Sequence, residues 1–438
     1  MNEINKSLRT SKKITLQNPT NFKKKLLYWA QQYNQVVWLD SNNYPLQYSN
    51  YDAVLAIGLY SNLQCKYPNA FDKLKNYRNN INDYIFGYLT YDLKNDIEKL
   101  TSQNFDGLHF PDLYFFQPKK LFFLKNNILE IKYLTQVKDD IESDLSLIKT
   151  IDLNKSIKEV EHNVKIKKQI SKKQYLKQLN TILKHINRGN IYEVNFCQEF
   201  YSENATINSL EVYNHLNSIS NAPFASFLKL EDKFIISASP ERFVKKQGNK
   251  IISQPIKGTA KRLTDKISDQ QLAIDLANDQ KERSENIMIV DLVRNDLSKT
   301  AIKGSVKVEE LCKVYTFDQV HQMISTISST TEHITDPVDI IKSLFPMGSM
   351  TGAPKLSAMQ IIEKFETTKR SVYSGAIGYF TPEADFDFNV VIRSIFYNKT
   401  NKYLSYSVGG AITAKSDPEK EYEECLVKAI AMKKALKN

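Results

Sequence analysis

Two residues with complementary chemistry lie sixteen positions apart in this 438-residue chain, the carboxylate of Glu241 and the amine of Lys257. Each is close to a proline, in Ser239-Pro-Glu-Arg-Phe243 and Pro255-Ile-Lys-Gly-Thr259. The residues between them form two short β-type runs around Gly248-Asn249, which predicts a hairpin that places Lys257 opposite Glu241. Such a pair offers a general acid and a nucleophile, provided that burial lowers the pKa of the lysine. An exposed lysine at a hairpin end is the alternative.

Two acidic helix faces could bind a metal ion. Glu282 and Glu285 are three residues apart in a segment with helical character, and Glu421 and Glu424 repeat this spacing near the C-terminus. Carboxylate oxygens suit Mg²⁺, which usually keeps several waters and bridges a few carboxylates to an anionic substrate. Carboxylates at helical spacing are also common on solvated faces or as partners of nearby lysines. Spacing alone leaves both interpretations open.

Two glycine-rich segments could bind an anion. Ser349 and Thr351 lie among glycines just before an apolar helical run, where backbone N–H groups at a helix N-terminus could bind a carboxylate. Gly409 and Gly410 are predicted to form a turn that leaves the strand ending at Ser407. The glycine spacing matches neither the phosphate-loop nor the dinucleotide pattern, so nucleotide binding is not indicated. Purely structural turns are the alternative for both segments.

Two further polar residues lie in apolar surroundings. Arg393 interrupts a strand-like apolar run, and a buried arginine needs an anion, either a protein carboxylate or a substrate. His321 also has apolar neighbours, where a hydrogen-bonded core histidine is the usual outcome.

The elements that must position these residues show no regular β-α-β order. Residues 1 to about 150 contain β-branched and aromatic runs separated by polar turns. A capping-box pattern at Ser171 predicts a helix that extends to Arg188, followed by a strand over 191–201. The sequence therefore predicts an α+β fold of two antiparallel β-sheets packed face to face with helices outside. We expect a strand-rich N-terminal region over 1–165 and a second domain over 166–438.

Composition narrows the class of protein. The chain has a net charge of +11, 42% hydrophobic residues and 25% charged residues, which is ordinary for a globular protein. The basic residues are scattered, which argues against nucleic acid as a partner and is compatible with an anionic substrate. Four widely spaced cysteines without a C-x-x-C pair argue against zinc and disulfides and favour the cytoplasm. Because we find neither a signal peptide nor a membrane-spanning run, we expect no membrane association.

Six segments together resemble the chorismate-utilising enzymes, and they occur in the order typical of that family. They are Ile191-Tyr-Glu-Val-Asn-Phe-Cys-Gln198, Ser239–Phe243, Pro255–Thr259, the block from Lys281 to Asp296, Gly348-Ser-Met-Thr-Gly-Ala-Pro-Lys355 and Tyr373-Ser-Gly-Ala-Ile-Gly-Tyr379. The resemblance implies a chorismate-binding catalytic domain over 166–438 and the antiparallel α+β fold of this family.

Lys257 distinguishes the branches of the family that the chain resembles. Large subunits of anthranilate synthase have alanine at this position, as do isochorismate and salicylate synthases, whereas the branch that aminates chorismate at C4 has lysine. The resemblance therefore implies amination at C4, with Lys257 forming a covalent adduct at C2. It also implies that Glu241 protonates the departing 4-hydroxyl, which requires a pKa raised toward neutrality. Anthranilate synthase and, less closely, isochorismate synthase activities are the alternatives.

The same resemblance implies a cofactor, a set of ligands and a partner. It implies Mg²⁺ held by Glu282, Glu285, Glu421 and Glu424. It implies substrate contacts from His321, Ser349, Thr351, Tyr373, Arg393, Gly409, Gly410 and Lys428. Because the sequence shows no glutaminase cysteine motif, we expect a separate glutamine amidotransferase subunit to form a heterodimer with the chain and supply ammonia.

Two positions depart from the family pattern. Ala411 replaces a usual glycine, and Glu193 stands where glutamine is common in this branch. We expect neither residue to touch the nucleophile or the acid.

Overall fold

The computed structural model describes residues 9–44, 48–153, 163–317 and 320–437. The strands in these ranges are β1 (Arg9–Thr15), β2 (Gln35–Asp40), β3 (Ala53–Cys65), β4 (Ile85–Leu89), β5 (Leu113–Lys125), β6 (Ile128–Leu134), β7 (Lys167–Lys168), β8 (Glu193–Ser202), β9 (Phe224–Leu230), β10 (Lys233–Ser239), β11 (Arg242–Gln247), β12 (Lys250–Gln254), β13 (Ile256–Lys261), β14 (Lys307–Thr316), β15 (Val320–Thr330), β16 (Gly352–Ala353), β17 (Ala376–Phe380), β18 (Phe386–Val390), β19 (Ser394–Asn398) and β20 (Tyr403–Ile412). The helices are α1 (Pro19–Trp29), α2 (Ala70–Ile81), α3 (Lys94–Ile97), α4 (Asp140–Thr150), α5 (Lys172–Asn187), α6 (Ser209–Ser220), α7 (Lys266–Asn278), α8 (Gln280–Ser298), α9 (Pro337–Leu344), α10 (Lys355–Phe365), α11 (Pro418–Lys428) and α12 (Ile430–Ala435).

The sheet is antiparallel throughout the described strands, which confirms the predicted α+β class. All of these strands belong to one hydrogen-bonded network. The long strands β3 and β5 pair along both of their halves, and they join β2 at one end to β4 at the other. The aromatic residues on both sides of 117–120 form the single strand β5, because pairing with β3 continues across the polar residues between them.

Two apolar clusters hold the layers together. In the first, strand residues pack against the apolar faces of helices that include α1, α5, α6 and α11. The second consists mainly of strand residues facing other strand residues, with contributions from α2, α8 and α9. Burial of aliphatic and aromatic side chains on this scale is the main driving force for folding, at roughly 25 cal/mol per Å² of apolar surface.

Helix α5 shows how local sequence determines an element that supports the site. The Ser171 hydroxyl accepts a hydrogen bond from the Gln174 N–H, and the Gln174 side chain accepts one from the Ser171 N–H, so the predicted capping box is confirmed. Its apolar residues Tyr175, Leu179, Ile182 and Ile186 recur at helical spacing and are all buried. The helix ends before Gly189, whose φ of 77° suits glycine.

The two predicted regions share the sheet. Strand β2 pairs with β9, and β4 pairs with β17, so backbone hydrogen bonds connect the N-terminal strands to the second region. The division at residues 165 and 166 stays a prediction, and 154–162 beside it lie outside the described residues. The N-terminal segment that was searched for a signal peptide also lies outside them. In the described ranges, no α-helix combines the length and apolar character needed to cross a membrane.

Candidate active site

Glu241 lies between β10 and β11 with its carboxyl group buried. Its N–H donates to Ser239 Oγ over 3.3 Å, and its carbonyl accepts from the Val390 N–H over 3.0 Å, so two strands fix the residue. Burial raises the pKa of Glu241 to about 7, although a hydrogen bond with Ser349 and the charge of Lys257 act in the opposite direction. The expected rise in pKa is confirmed, so this group can carry a proton near neutral pH.

Lys257 lies on β13, and its amine contacts Glu193. The distance from Lys257 Nζ to Glu193 Oε1 is 3.2 Å, and the two side chains are 13% and 1% exposed. The expectation that Glu193 does not touch the nucleophile is therefore wrong, because the fold brings together the starts of β8 and β13, two strands that do not pair. Burial disfavours the ammonium, but the carboxylates of Glu193, Glu285 and Glu241 outweigh burial and raise the pKa of Lys257. The expected fall in this pKa is also wrong.

The hairpin between the acid and the amine is confirmed. Strands β11 and β12 pair antiparallel around Gly248, which has a φ of 58°. Lys257 lies beyond this hairpin on β13, which pairs with β15, so its predicted position opposite Glu241 across the hairpin is wrong. Each of the two groups shifts the pKa of the other through its charge, so Glu241 and Lys257 belong to one electrostatic site.

The segment around Ser349 is attached to β8. Its short strand β16 pairs with Glu193 and Val194. A Cβ atom at Gly352, where φ is 148°, would lie 2.8 Å from the Val194 Cα and still closer to the Glu193 carbonyl oxygen, so this approach requires glycine. The attachment places Ser349 beside Glu241 while it fixes the backbone that carries Glu193.

Arg370 is a buried residue of this region that the sequence analysis missed. Its guanidinium donates to the carbonyl oxygens of Met350 and Asn195, both over 2.7 Å, and makes two bonds to Glu366, of 2.6 and 2.9 Å. It also lies over the Tyr91 ring at 4.5 Å. Arg370 therefore joins the segment around Ser349 to β8. Glu366 and Arg370 are four residues apart, and this spacing could have indicated an ion pair between them.

The helix predicted after the glycine-rich segment is present, but Ser349 and Thr351 do not lie at its N-terminus. Helix α10 begins at Lys355, and β16 and Pro354 separate it from Ser349 and Thr351. The Thr351 hydroxyl donates to the carbonyl oxygens of Met347 and Gly348, each over 3.2 Å, so it stabilises the turn. A contact between Thr351 and substrate stays a prediction.

The four predicted metal ligands lie on two neighbouring helices, Glu282 and Glu285 on α8, Glu421 and Glu424 on α11. Burial raises the pKa of Glu285 to about 7, and burial with a smaller effect of Glu424 raises the pKa of Glu282. Burial also raises the pKa of Glu421. The Oε1 atom of Glu285 is buried without a hydrogen-bond partner among the described residues. Carboxylate oxygens are the type of ligand that a hard cation such as Mg²⁺ prefers.

Lysines also interact with these carboxylates, as the alternative interpretation anticipated. Lys281 Nζ lies 3.8 Å from Glu285 Oε1, and Lys428 Nζ lies 2.7 Å from Glu424 Oε1. Burial alone would raise the pKa of Glu424, but Lys428 lowers it. Within the described part of the chain, no three His, Cys, Asp or Glu side chains are grouped closely enough to hold a metal ion.

Arg393 and Tyr373 are available for an anion. Arg393 lies between β18 and β19 with a φ of 54°, a left-handed conformation that costs roughly 1–3 kcal/mol in a non-glycine residue. Burial lowers the pKa of Arg393, with Tyr373 and Glu424 as its electrostatic neighbours. Arg393 forms no ion pair with any carboxylate of the described residues. Arg393 is partly buried, and an unpaired guanidinium in such a position can bind a substrate carboxylate.

His321 makes the contacts of a hydrogen-bonded core residue. Its Nε2 lies 3.0 Å from Asp269 Oδ1, and its Nδ1 lies 2.9 Å from Thr316 Oγ1. Asp269 also accepts two bonds from Arg262. Residues 318 and 319, which precede His321 in the sequence, lie outside the described residues. A contact between His321 and substrate stays a prediction.

The predicted glycine turn at Gly409 and Gly410 is wrong. Strand β20 continues through both residues and pairs with β8. A Cβ at Gly409 would lie 2.6 Å from the Cys197 Cβ, and one at Gly410 would lie 3.2 Å from Glu421 Oε2, so glycine allows close packing here. The Gly409 carbonyl accepts a bond of 3.0 Å from Lys428. On its other edge, β20 pairs with β19 only through its first residues, Tyr403 to Ser405. The described strands therefore leave this edge of β20 open at Gly409 and Gly410.

A buried acid, a largely buried amine and two acidic helices lie beside one antiparallel sheet, an arrangement that can bind a small anionic molecule and transfer protons. Comparison with known protein families matches residues 19–434 with the chorismate binding enzymes. The chain belongs to this family.

Individual relatives carry two kinds of name. The chain is 38% identical over 267 residues to aminodeoxychorismate synthase component 1 of Escherichia coli, covering 61% of this chain and 58% of that protein. It is 34% identical over 369 residues to an anthranilate synthase component I-like protein of Synechocystis, covering 80% and 72%. The fold is similar to that of anthranilate synthase component I from Streptococcus pneumoniae, with a TM-score of 0.75 at 24% identity over 89% of this chain and 93% of that one. The chain thus spans about three fifths of the length of the E. coli relative.

Proposed function

We propose that the chain is component I of an aminodeoxychorismate synthase, which aminates chorismate at C4 to 4-amino-4-deoxychorismate on the route to 4-aminobenzoate and folate. The observation that carries the proposal is that a largely buried amine, Lys257, and a buried carboxyl group, Glu241, whose pKa is about 7, act on each other within one electrostatic site. The name of the E. coli relative supports the same reaction.

The proposed reaction has two substitution steps. Lys257 Nζ bonds to C2 of chorismate, the two ring double bonds shift, and the C4–O bond breaks. Hydroxide is a poor leaving group, so Glu241 donates its proton and the oxygen leaves as water. Ammonia then bonds to C4, the double bonds shift back, and the C2–N bond breaks to release the lysine amine, while the new ammonium at C4 returns one proton to Glu241. The enolpyruvyl group is retained throughout.

The remaining residues would bind the two carboxylates of chorismate. Arg393, Tyr373 and the open edge of β20 at Gly409 and Gly410 would bind one of them. Mg²⁺, when bound by the glutamates of α8 and α11, would neutralise and orient the other. Ser349 would align the carboxyl group of Glu241 with the 4-hydroxyl.

We also propose a partner and a location. A glutamine amidotransferase subunit would form a heterodimer with the chain and supply ammonia from glutamine in the cytoplasm. Free ammonium should replace this partner in vitro, which allows the chain to be tested alone.

The nearest rival is anthranilate synthase component I, which the names of other relatives favour. Purified chain is incubated with chorismate, Mg²⁺ and ammonium, with and without added aminodeoxychorismate lyase. We expect 4-aminobenzoate only when the lyase is present. Fluorescent anthranilate formed without lyase would refute the proposal and support the rival.

Replacement of the proposed nucleophile tests the covalent step. Lys257→Ala should abolish the aminated product or divert the reaction, and no adduct should appear in the intact-protein mass after a quench with chorismate. The matched control is Lys229→Ala, because Lys229 is also partly buried, lies on β9 and, among the described contacts, donates to the Gln31 carbonyl and not to a residue of the proposed site. An unchanged rate and product in Lys257→Ala would overturn the covalent step.

A further inference from the structure

The contact between Lys257 and Glu193 raises a question about the nucleophile. An ammonium group has no lone pair, so Lys257 must lose a proton before its nitrogen can form a bond. The surrounding carboxylates stabilise the ammonium and therefore oppose this loss. The resting site thus holds its nucleophile in the unreactive form, and some group must accept the proton.

Glu193, Glu285 and Glu241 are the three carboxylates that act most strongly on Lys257, and two of these three have other duties in the proposed reaction. Glu282 and Glu424 also act on it through their charges, and both are proposed metal ligands. Glu241 must be protonated to act as an acid, so it cannot accept a proton at that moment. Glu285 is a proposed metal ligand and interacts with Lys257 through its charge, without a hydrogen bond to it among the described contacts. Glu193 alone of the three is hydrogen-bonded to Nζ, over 3.2 Å.

We propose that Glu193 is the general base that takes the proton from Lys257 Nζ and so creates the nucleophile, an inference that rests on the proposed function. One N–H bond of the ammonium breaks, and one O–H bond forms on Glu193. The lone pair of Nζ then bonds to C2 as Glu241 protonates the leaving hydroxyl. When ammonia later expels Lys257 as a free amine, Glu193 returns the proton. Both residues recover their starting charge.

Two features of the surroundings of Glu193 limit the cost of this transfer. Its side chain is 1% exposed and that of Lys257 is 13% exposed, so water screens neither charge well. In such a site the neutral amine and carboxylic acid avoid the desolvation cost that the two ions incur. Glu193 Oε2 is buried without a hydrogen-bond partner among the described residues, so no competing bond stabilises its ionised form from that side.

The backbone holds Glu193 rigidly enough for a catalytic role. It pairs with Ala353 through β16, and Gly352 allows the two chains to approach closely. The same attached segment carries Ser349, which contacts Glu241. The proposed base and the acid are therefore positioned by one structural unit, as synchronised proton transfers require.

Glu193→Gln is the direct test, because the amide keeps the size of the side chain but cannot take a proton from an ammonium. The matched control is Glu199→Gln, which makes the same change at another buried glutamate of β8, one that accepts from the Tyr403 hydroxyl at 3.4 Å and does not contact Lys257. Both variants are mixed with chorismate and Mg²⁺ without ammonium, quenched at set times, and analysed for the Lys257 adduct by intact-protein mass.

At pH 7 we expect Glu193→Gln to slow adduct formation by about 100-fold or more, which is the usual contribution of a general base. Its rate should rise steeply as the pH approaches 10, because hydroxide then removes the proton. Glu199→Gln should remain near the wild-type rate at both pH values. A Glu193→Gln rate equal to that of the wild type at pH 7 would overturn the inference, as would a deficit that does not change with pH.

Two further measurements keep the outcomes distinct. If circular dichroism shows that Glu193→Gln does not fold, Glu193→Asp is tested in its place. Its shorter side chain withdraws the carboxylate by about 1 Å, which should slow adduct formation by up to about 100-fold. A wild-type rate in that variant counts against the proposal. If the wild type forms neither adduct nor aminated product, the proposed function fails and the inference fails with it. If the wild type aminates chorismate and the variants match it, only the inference fails.

Discussion

Replacing Glu241 by glutamine tests the acid in two independent ways. The carboxyl group is buried, and its pKa is raised to about 7 from the usual 4.5. An acid with this pKa is about 90% protonated at pH 6 and about 10% protonated at pH 8, so the turnover of the wild type should fall about ninefold between these values. Glu241→Gln should lower turnover by about 100-fold or more and should remove this pH dependence.

The same pKa predicts an effect on stability. Between pH 4.5 and 7 the folded protein holds a proton on Glu241 that the unfolded chain releases, so stability falls as the pH rises through this interval. The difference between a pKa of about 7 in the folded protein and 4.5 in the unfolded chain destabilises the fold by at most roughly 3 kcal/mol. This destabilisation is fully present above pH 7 and absent below pH 4.5. Glu241→Gln should therefore be more stable than the wild type at pH 8 and equally stable near pH 4.5.

The assay combines initial rates at saturating chorismate, Mg²⁺ and ammonium with denaturant unfolding at the same pH values. An enzyme that gains stability at pH 8 while it loses turnover would show that Glu241 is kept at an energetic cost for its chemistry. Turnover that rises or stays flat from pH 6 to 8 would refute the role of Glu241 as the acid. Equal stability changes at both pH values would refute its raised pKa.

Three further substitutions test other parts of the structure. Burial raises the pKa of Glu199 to about 7, so Glu199→Gln should stabilise the fold by up to roughly 3 kcal/mol at pH 8 but not near pH 4.5. A change in the free energy of unfolding that is the same at both pH values would contradict this. Arg393→Gln should raise the KM for chorismate by about 10- to 100-fold without lowering the melting temperature, because the guanidinium forms no ion pair with a carboxylate of the described residues. An unchanged KM would exclude Arg393 from substrate binding. Arg370→Ala should destabilise the fold by about 3–5 kcal/mol, because it leaves Glu366 as a buried unpaired charge. A loss below 1 kcal/mol in denaturant unfolding would contradict that role.

Elements with local signals were predictable. The capping box and apolar spacing of α5 lie within one short segment, and so does the hairpin around Gly248. In both cases, residues a few positions apart determine the backbone. The raised pKa of Glu241 also followed from the requirement for a water-poor site, which the buried strand ends provide.

Contacts between distant segments were not predictable from local patterns. Glu193 and Lys257 are 64 residues apart and lie on strands that do not pair, so their contact depends on how the whole sheet folds. The sign of the pKa shift of Lys257 was missed for the same reason, because burial was anticipated and the surrounding carboxylates were not. Gly409 and Gly410 were interpreted as a turn, but they serve the close approach of β8 and α11, which only the tertiary structure shows.

Glu193 and Glu241 are two buried glutamates that act on the nucleophile from different surroundings, and this difference suits opposite roles. Glu193 is in contact with the ammonium of Lys257, with 3.2 Å between Nζ and Oε1, so it is placed to accept a proton from this group. Glu241 is hydrogen-bonded to Ser349 and forms no ion pair within the described ranges, so burial dominates and keeps its proton in place. In the proposed reaction, Lys257 loses a proton to Glu193 while the leaving hydroxyl gains a proton from Glu241. Glutamine at position 193 would leave that first proton without an acceptor, so the departure at Glu193 changes how the nucleophile is activated, not which bond it forms.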